Sequence, residues 1–297
     1  MGAVHVLTAC SWFNCLNIDS LEWIGHTQAL LNILETYGWE SLKTSTARSF
    51  YSAWKHRAFL ESLNQRRPLP FRKPTQNVDM SDRAICFLAD YALELPGLLW
   101  RSERMFQKAH MKTTPRRTVL NLLTEVERGI GKLKEWHLQW TKSFPAQPHY
   151  RTVSTRTFKH FASLAGELLT VFPTAYDFSH HHHERDFRML CICLLHLDQV
   201  VINIHQAFPD FCVGNEFRLQ LRSAEYDAET CAADLCMLIP WTTQEQNASF
   251  ASIHAQRPLD YSMRYYQSQA KEPQLSWCRK VSQSLKEKYG IEIKFPH

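Results

Sequence analysis

Hydrophobic positions along this chain recur three and four residues apart much more often than they alternate, a spacing that predicts helices. Val4 to Leu16 is a first apolar segment. Leu21, Ile24, Leu31 and Leu34 predict a helix over 21–36, capped by Asp19 or Ser20 and closed at Tyr37-Gly38. A third helix is expected over 46–64, with Phe50, Ala53, Trp54, Arg57 and Phe59 forming an aromatic face. Pro68, Pro70 and Pro74 then make 66–76 a loop, because proline removes amide donors and blocks helix. Ser81 can cap a helix with Ile85, Leu88, Ala92 and Leu95 on one face. Pro96 kinks or restarts it before Leu98, Leu99 and Trp100. Residues 117–140 read as an amphipathic helix through Val119, Leu122, Val126, Ile130, Leu133 and Trp136, followed by a loop at Pro145 to Pro148. The most apolar stretch, 187–208, fits a central, mostly buried helix. Further helices are expected over 227–238, 258–270 and 274–289, the last closed by Gly290. The expectation is an all-α fold, a multi-helix bundle or array in one domain over 1–297, with loop breaks near 66–76 and 143–150.

Composition narrows this picture. The chain of 297 residues is 44% hydrophobic and 21% charged, as in an ordinary globular protein. Its 9 glycines are too few for a turn-rich sandwich or barrel, and the strand–glycine–helix rhythm of a doubly wound fold is missing. The net charge of +5 is mild and interspersed with acids, as in Lys132-Leu133-Lys134-Glu135. It reads as solvated helix faces rather than a nucleic-acid surface. Six of the 9 cysteines (Cys86, Cys191, Cys193, Cys231, Cys236 and Cys278) sit in apolar runs, where a thiol acts as a small hydrophobe, and no CxxC pair occurs. With no secretory signal pattern over Met1 to Phe13 and no long apolar span, a reduced cytoplasmic or nuclear setting is expected.

Candidate chemistry is sparse. His180 to His183 could suggest metal, but consecutive helical residues point around the axis, and a helix start or solvated loop is the preferred reading. No metal or other cofactor is expected. On the central helix His196, Gln199, Asn203 and Gln206 share a face, with Asp198 and His205 near its edges. They either pair with neighbouring helices and solvent, or line a ligand pocket in which His196 and Asp198 could do acid–base work. Trp54 and Trp100 are core aromatics or walls of an apolar pocket. Asp90 and Glu94, four apart, lack the aspartate-rich spelling of a magnesium site and read as a surface pair. No phosphate-binding glycine loop, nucleophile elbow or HExxH zinc motif is present.

Several segments resemble the regulatory middle domain of fungal zinc-cluster transcription factors. They are Trp23-Ile24-Gly25-His26-Thr27-Gln28-Ala29-Leu30-Leu31 with Tyr37-Gly38; Ala47-Arg48-Ser49-Phe50-Tyr51 through Arg66-Arg67-Pro68; Leu93-Glu94-Leu95-Pro96-Gly97-Leu98-Leu99; Cys236-Met237-Leu238-Ile239-Pro240-Trp241; and Pro258-Leu259 with Trp277-Cys278 and Gly290. Each motif is loose; their order along the chain is the stronger argument. The resemblance implies an α-helical array that couples small-molecule or protein signals to transcription. The family's six-cysteine cluster is not found in these residues, so direct sequence-specific DNA binding is not expected of them. Three functions remain open: a regulatory protein binding a hydrophobic small molecule or a protein partner; a repurposed cyclase, isomerase or dehydratase of secondary metabolism; and an inactive remnant.

Overall fold

The computed structural model describes residues 59–60, 62–63, 65–69, 88, 92–109, 114–142, 148–163, 168–244 and 248–289. The chain divides into two compact units, Met1–Arg101 and Ser102–His297.

In the first unit Phe59, Leu60 and Leu63 are helical and buried. Their helix closes where the Arg67 amide donates to the Ser62 carbonyl (2.9 Å) and the Arg66 amide to that of Leu63 (3.3 Å). Arg66 takes the left-handed conformation, φ 48°, that such a cap requires. The next helix, α1 (Leu95–Ala109), begins with Pro96 in its first turn, where an amide would have no partner anyway. The sequence-predicted restart at Pro96 is therefore the true helix start.

The second unit is an array of helices interrupted by one hairpin. Helix α2 (Arg116–Lys142) buries Val119, Leu122, Leu123, Val126, Leu133 and Trp136; of the expected apolar stripe Ile130 is only half-buried, and Leu123 is added. Strand β1 (Tyr150–Ser154) pairs antiparallel with β2 (Thr174–Phe178), Tyr150 opposite Phe178 and Ser154 opposite Thr174. Between the strands lie a 3-10 turn (Thr155–Thr157) and two short helices, α3 (Lys159–Ser163) and α4 (Leu168–Val171). Thr155 ties this connection down: its hydroxyl donates to the Phe172 carbonyl at 2.8 Å.

Helix α5 (His181–Ala207) lies at the centre, packed between α2 and α6 (Asn215–Met237). It buries Phe187, Leu190, Ile192, Leu197, Val201 and Ile204 among others. By length and composition α5 could cross a membrane, contrary to the expectation from sequence; its few polar residues are spread too thinly to lower the average. Its apolar window is 89% buried inside the protein, however. A short helix α7 (Ile239–Thr242) follows, then α8 (Ala248–Ser268) on α6, and α9 (Glu272–Tyr289) on α8. Helix α6 starts twelve residues before the expected position. Its first half is polar and held by side-chain pairing rather than by an apolar stripe. Gly214, at φ 130°, makes the turn into it, a conformation that side chains rarely tolerate.

Candidate ligand site

The polar stripe of the central helix grades from core to solvent. His196 is half-buried, its ring edge-on to Tyr261 of α8 at 4.9 Å. Gln199 is also half-buried, whereas Asn203 and Gln206 are exposed. Asp198 is only 1% exposed, and its Oδ2 has no hydrogen-bond partner. Burial pushes its pKa up to about 8, helped by the nearby Asp227 charge and opposed by Lys134. His196 and Asp198, two positions apart, project on opposite sides of α5 and do not converge on one substrate. Trp100 is half-buried on α1; Trp54 and Asp90 lie outside the described residues, and Glu94 is exposed.

Around Asp198 runs a polar seam joining α2, α5 and α6. Lys134 donates to Asp227 at 2.7 Å, and the Ser223 hydroxyl to the same carboxylate at 3.3 Å. The Gln220 amide bridges Glu127 of α2 and, at 2.9 Å, Nε2 of His205 on α5. These contacts explain why the polar first half of α6 is helical and docked.

A second concentration of polar chemistry lies where α2 ends and α5 begins. His180, His181 and His182 are exposed while His183 turns inward, so the histidine run is a helix start, as the sequence indicated. His183 packs edge-on against His149 at 4.1 Å, and His149 stacks on Trp140 at 4.0 Å. The Ser179 hydroxyl donates to the His149 carbonyl (3.1 Å) and can then accept from Nδ1 of His183 (2.8 Å). Burial, and then the neighbouring His149, His182 and His180, lower the His183 pKa to about 4. Among the described residues no three His, Cys, Asp or Glu side chains are placed to hold one metal ion. A third polar feature is Tyr176, whose hydroxyl donates to Asp234 Oδ1 at 2.6 Å. Burial raises the Asp234 pKa to about 6 despite this bond.

A cavity among the described residues lies elsewhere. About 270 Å³ in volume, it is walled by Thr157, Phe158, Lys159 and His160 from the hairpin connection, Pro240, Thr243 and Gln244 from α7 and its exit, and Lys288 from α9. Phe158 (6% exposed), Pro240 and Thr243 (1% exposed) are its deeply set residues; Thr157, Lys159 and Lys288 are exposed at its rim. Thr243 is held by its hydroxyl, which reaches the Ile239 carbonyl at 2.9 Å. Nε2 of His160 lies 3.3 Å from the Ser284 hydroxyl of α9, fixing the imidazole at the wall. Burial and then the Lys288 charge lower the His160 pKa. No member of the α5 stripe lines this cavity. Its residues come from three distant segments without a shared motif, so spacing in the sequence carried no signal for it. Comparison of the chain with models of protein families, with curated proteins and with solved structures finds no match.

Proposed function

We propose that this chain is a regulatory protein that binds a small molecule, in the manner implied by its resemblance to the middle domains of fungal zinc-cluster transcription factors. The observation that carries the reading is the cavity: buried apolar and hydroxyl groups below, convergent polar groups at the mouth, and walls drawn from α3, α7 and α9. A ligand there touches three segments at once, so it would bind differently in any state that rearranges them, and such differential affinity is what coupling requires. A protein partner is the other form of the same reading. Leu219 (57% exposed) and Tyr226 (74% exposed), two turns apart on α6, offer it an apolar foothold.

A second reading, a cyclase, isomerase or dehydratase acting on a hydrophobic intermediate, draws on one observation. Asp198 is a buried acid that stays protonated near neutral pH and so could donate a proton. Its separation from His196 across the helix weighs against the pair acting together.

Deletion of the gene in its native host, with transcripts and metabolites measured together, separates the two. Loss of a set of transcripts along with all related metabolites is the expected result. Unchanged transcripts with one accumulating intermediate would overturn regulation in favour of catalysis.

A further inference from the structure

The solvent face of α6 carries its chemistry in a definite order, and that order specifies a partner. Two of the four large apolar side chains that are exposed among the described residues, Leu219 and Tyr226, stand seven positions apart on this helix and share a face. Ser223, also exposed, lies between them. Charge along one flank of that face is sorted rather than mixed. Arg218 and Arg222 come first and Glu225 follows; all three are exposed, and none makes an ion pair among the described residues. Glu229, one turn further on, is already held by Lys271 at 2.9 Å, so Glu225 is the open acid of that flank. A face some 23 residues long and one helix wide extends about 35 Å by about 10 Å. That is well under the roughly 800 Å² per partner of a standard stable interface, and it suits a weak, reversible association.

We infer that this face binds a second copy of the chain, α6 packing antiparallel on α6 about a two-fold axis, with Leu219 of each copy against Tyr226 of the other. The inference rests on the partner-binding form of the reading above and names the partner. A two-fold axis perpendicular to both helices keeps like flanks together, so the basic end of one flank meets the acidic end of the other. At about 1.5 Å of rise per residue, the Leu219–Tyr226 register sets the Glu225 carboxylate of one copy about 3 Å along the axis from both Arg218 and Arg222 of the other. The two-fold repeats the arrangement, and Ser223 falls beside the axis. A parallel pairing would instead set Arg218 and Arg222 against their own copies, and like charges at such range repel. A foreign protein would have to supply the reverse order of charge around an apolar pair; α6 supplies it to itself.

The test is sedimentation equilibrium of the full 297-residue chain, from about 1 to about 300 µM, the range that a small interface calls for. A reversible monomer–dimer equilibrium is expected. Glu225→Arg places a third guanidinium between Arg218 and Arg222 and should raise the dissociation constant tenfold or more, as should Tyr226→Asp. Combining Glu225→Arg with Arg218→Glu and Arg222→Glu reverses the whole pattern and should restore dimerisation, a recovery that damage to the fold would not allow. Ser223→Cys should cross-link to its own copy on oxidation with copper phenanthroline, whereas Gln283→Cys, exposed on α9, should cross-link no more than the parent. The inference is overturned if the chain stays monomeric throughout, or if it dimerises without responding to Glu225→Arg and Tyr226→Asp, since the contact then lies on another face. Cross-linking of Ser223→Cys no greater than that of Gln283→Cys would overturn it as well. Such a failure leaves the regulatory reading to stand or fall on the deletion experiment, which does not depend on oligomeric state.

Discussion

Asp198 is the residue at which this fold tolerates an unfavourable group. A carboxyl of ordinary pKa near 4 sits almost wholly out of water, with one oxygen unpartnered. The seam beside it pairs Lys134 with Asp227, so the cation that opposes the shift is already engaged. Burial favours the neutral acid, and the pKa rises to about 8. The folded state therefore holds a proton that the unfolded chain releases near pH 4. Relative to the ionised limit, the stabilisation from this proton is full below about pH 4 and is lost as pH rises through about 8. Asp198→Asn keeps the shape and removes the ionisation. It is expected to stabilise the protein at pH 9 by about 1–3 kcal/mol, the usual cost of an uncompensated buried polar group, and to change little near pH 3.5, below the unfolded pKa. Thermal unfolding at the two pH values checks this, at roughly 2–4 °C per kcal/mol for a unit of this size. An equal shift at both would mean that ionisation is not the cause.

At the scale of elements, α6 is held by chemistry of two kinds along its length, and its thiols mark the second. Its N-terminal half is docked by the Glu127–Gln220–His205 and Lys134–Asp227 contacts, its C-terminal half by Ala228, Cys231, Ala232, Leu235 and Cys236. Cys236 Sγ lies 3.6 Å from Cys278 Sγ of α9, a contact of reduced thiols rather than the roughly 2 Å of a disulfide. Burial raises the Cys191, Cys193 and Cys278 thiols above their ordinary range, and the thiolate is the reactive form. Burial raises the Cys212 thiol too, but of the six described thiols it alone is half-exposed, so it should be alkylated by iodoacetamide in the folded protein and the other five only after unfolding, as peptide mass spectrometry would report. Fast labelling of Cys236 or Cys278 would show that α6 and α9 separate in the native state. The same division explains what could be read in advance. The apolar stripes of α2, α5 and α9 obey helical spacing, and the sequence located them to within a few residues apart from the first turns of α5. The first half of α6 had no such stripe, since its partners Glu127 and His205 are distant in sequence. The five-residue strands β1 and β2 were too short to show alternation, and their pairing spans an intervening connection. The cavity was illegible for the same reason as the seam: its chemistry is assembled by the fold. The polar stripe of α5 was visible, but which members reach solvent depends on where α6 and α8 stop.

Across the whole molecule the buried titratable groups pull stability in opposite directions with pH, and their balance is a property of the fold. Asp198 and Asp234, with pKa values of about 8 and about 6, each hold a proton in the folded state that the unfolded chain releases, so each lowers stability as pH rises from about 4 through its folded value. His183 acts the other way. Burial, with His149, His182 and His180 beside it, depresses its pKa to about 4, against about 6.5 when unfolded. The unfolded chain then binds a proton that the folded state refuses, and stability falls as pH drops from about 6.5 towards 4. His137 and His182 are depressed as well, each chiefly by burial, and add to this acid arm. Between about pH 4 and 6 the carboxyls and the imidazoles oppose each other, leaving a shallow profile. From about 6.5 to 8 Asp198 alone of these three valued groups still titrates, and its contribution lowers stability. His183→Gln retains a group able to hydrogen-bond Ser179 but removes the acid arm's main contributor. Its denaturant midpoint, measured from pH 4 to 8 against the parent, should approach or exceed the parent's at pH 4 and fall below it near pH 7, where the packed imidazole of the parent is neutral and costs nothing. A difference between the two proteins that stays constant across that range would show that His183 contributes packing alone, and that the histidine nest at the head of α5 carries no sensitivity to pH.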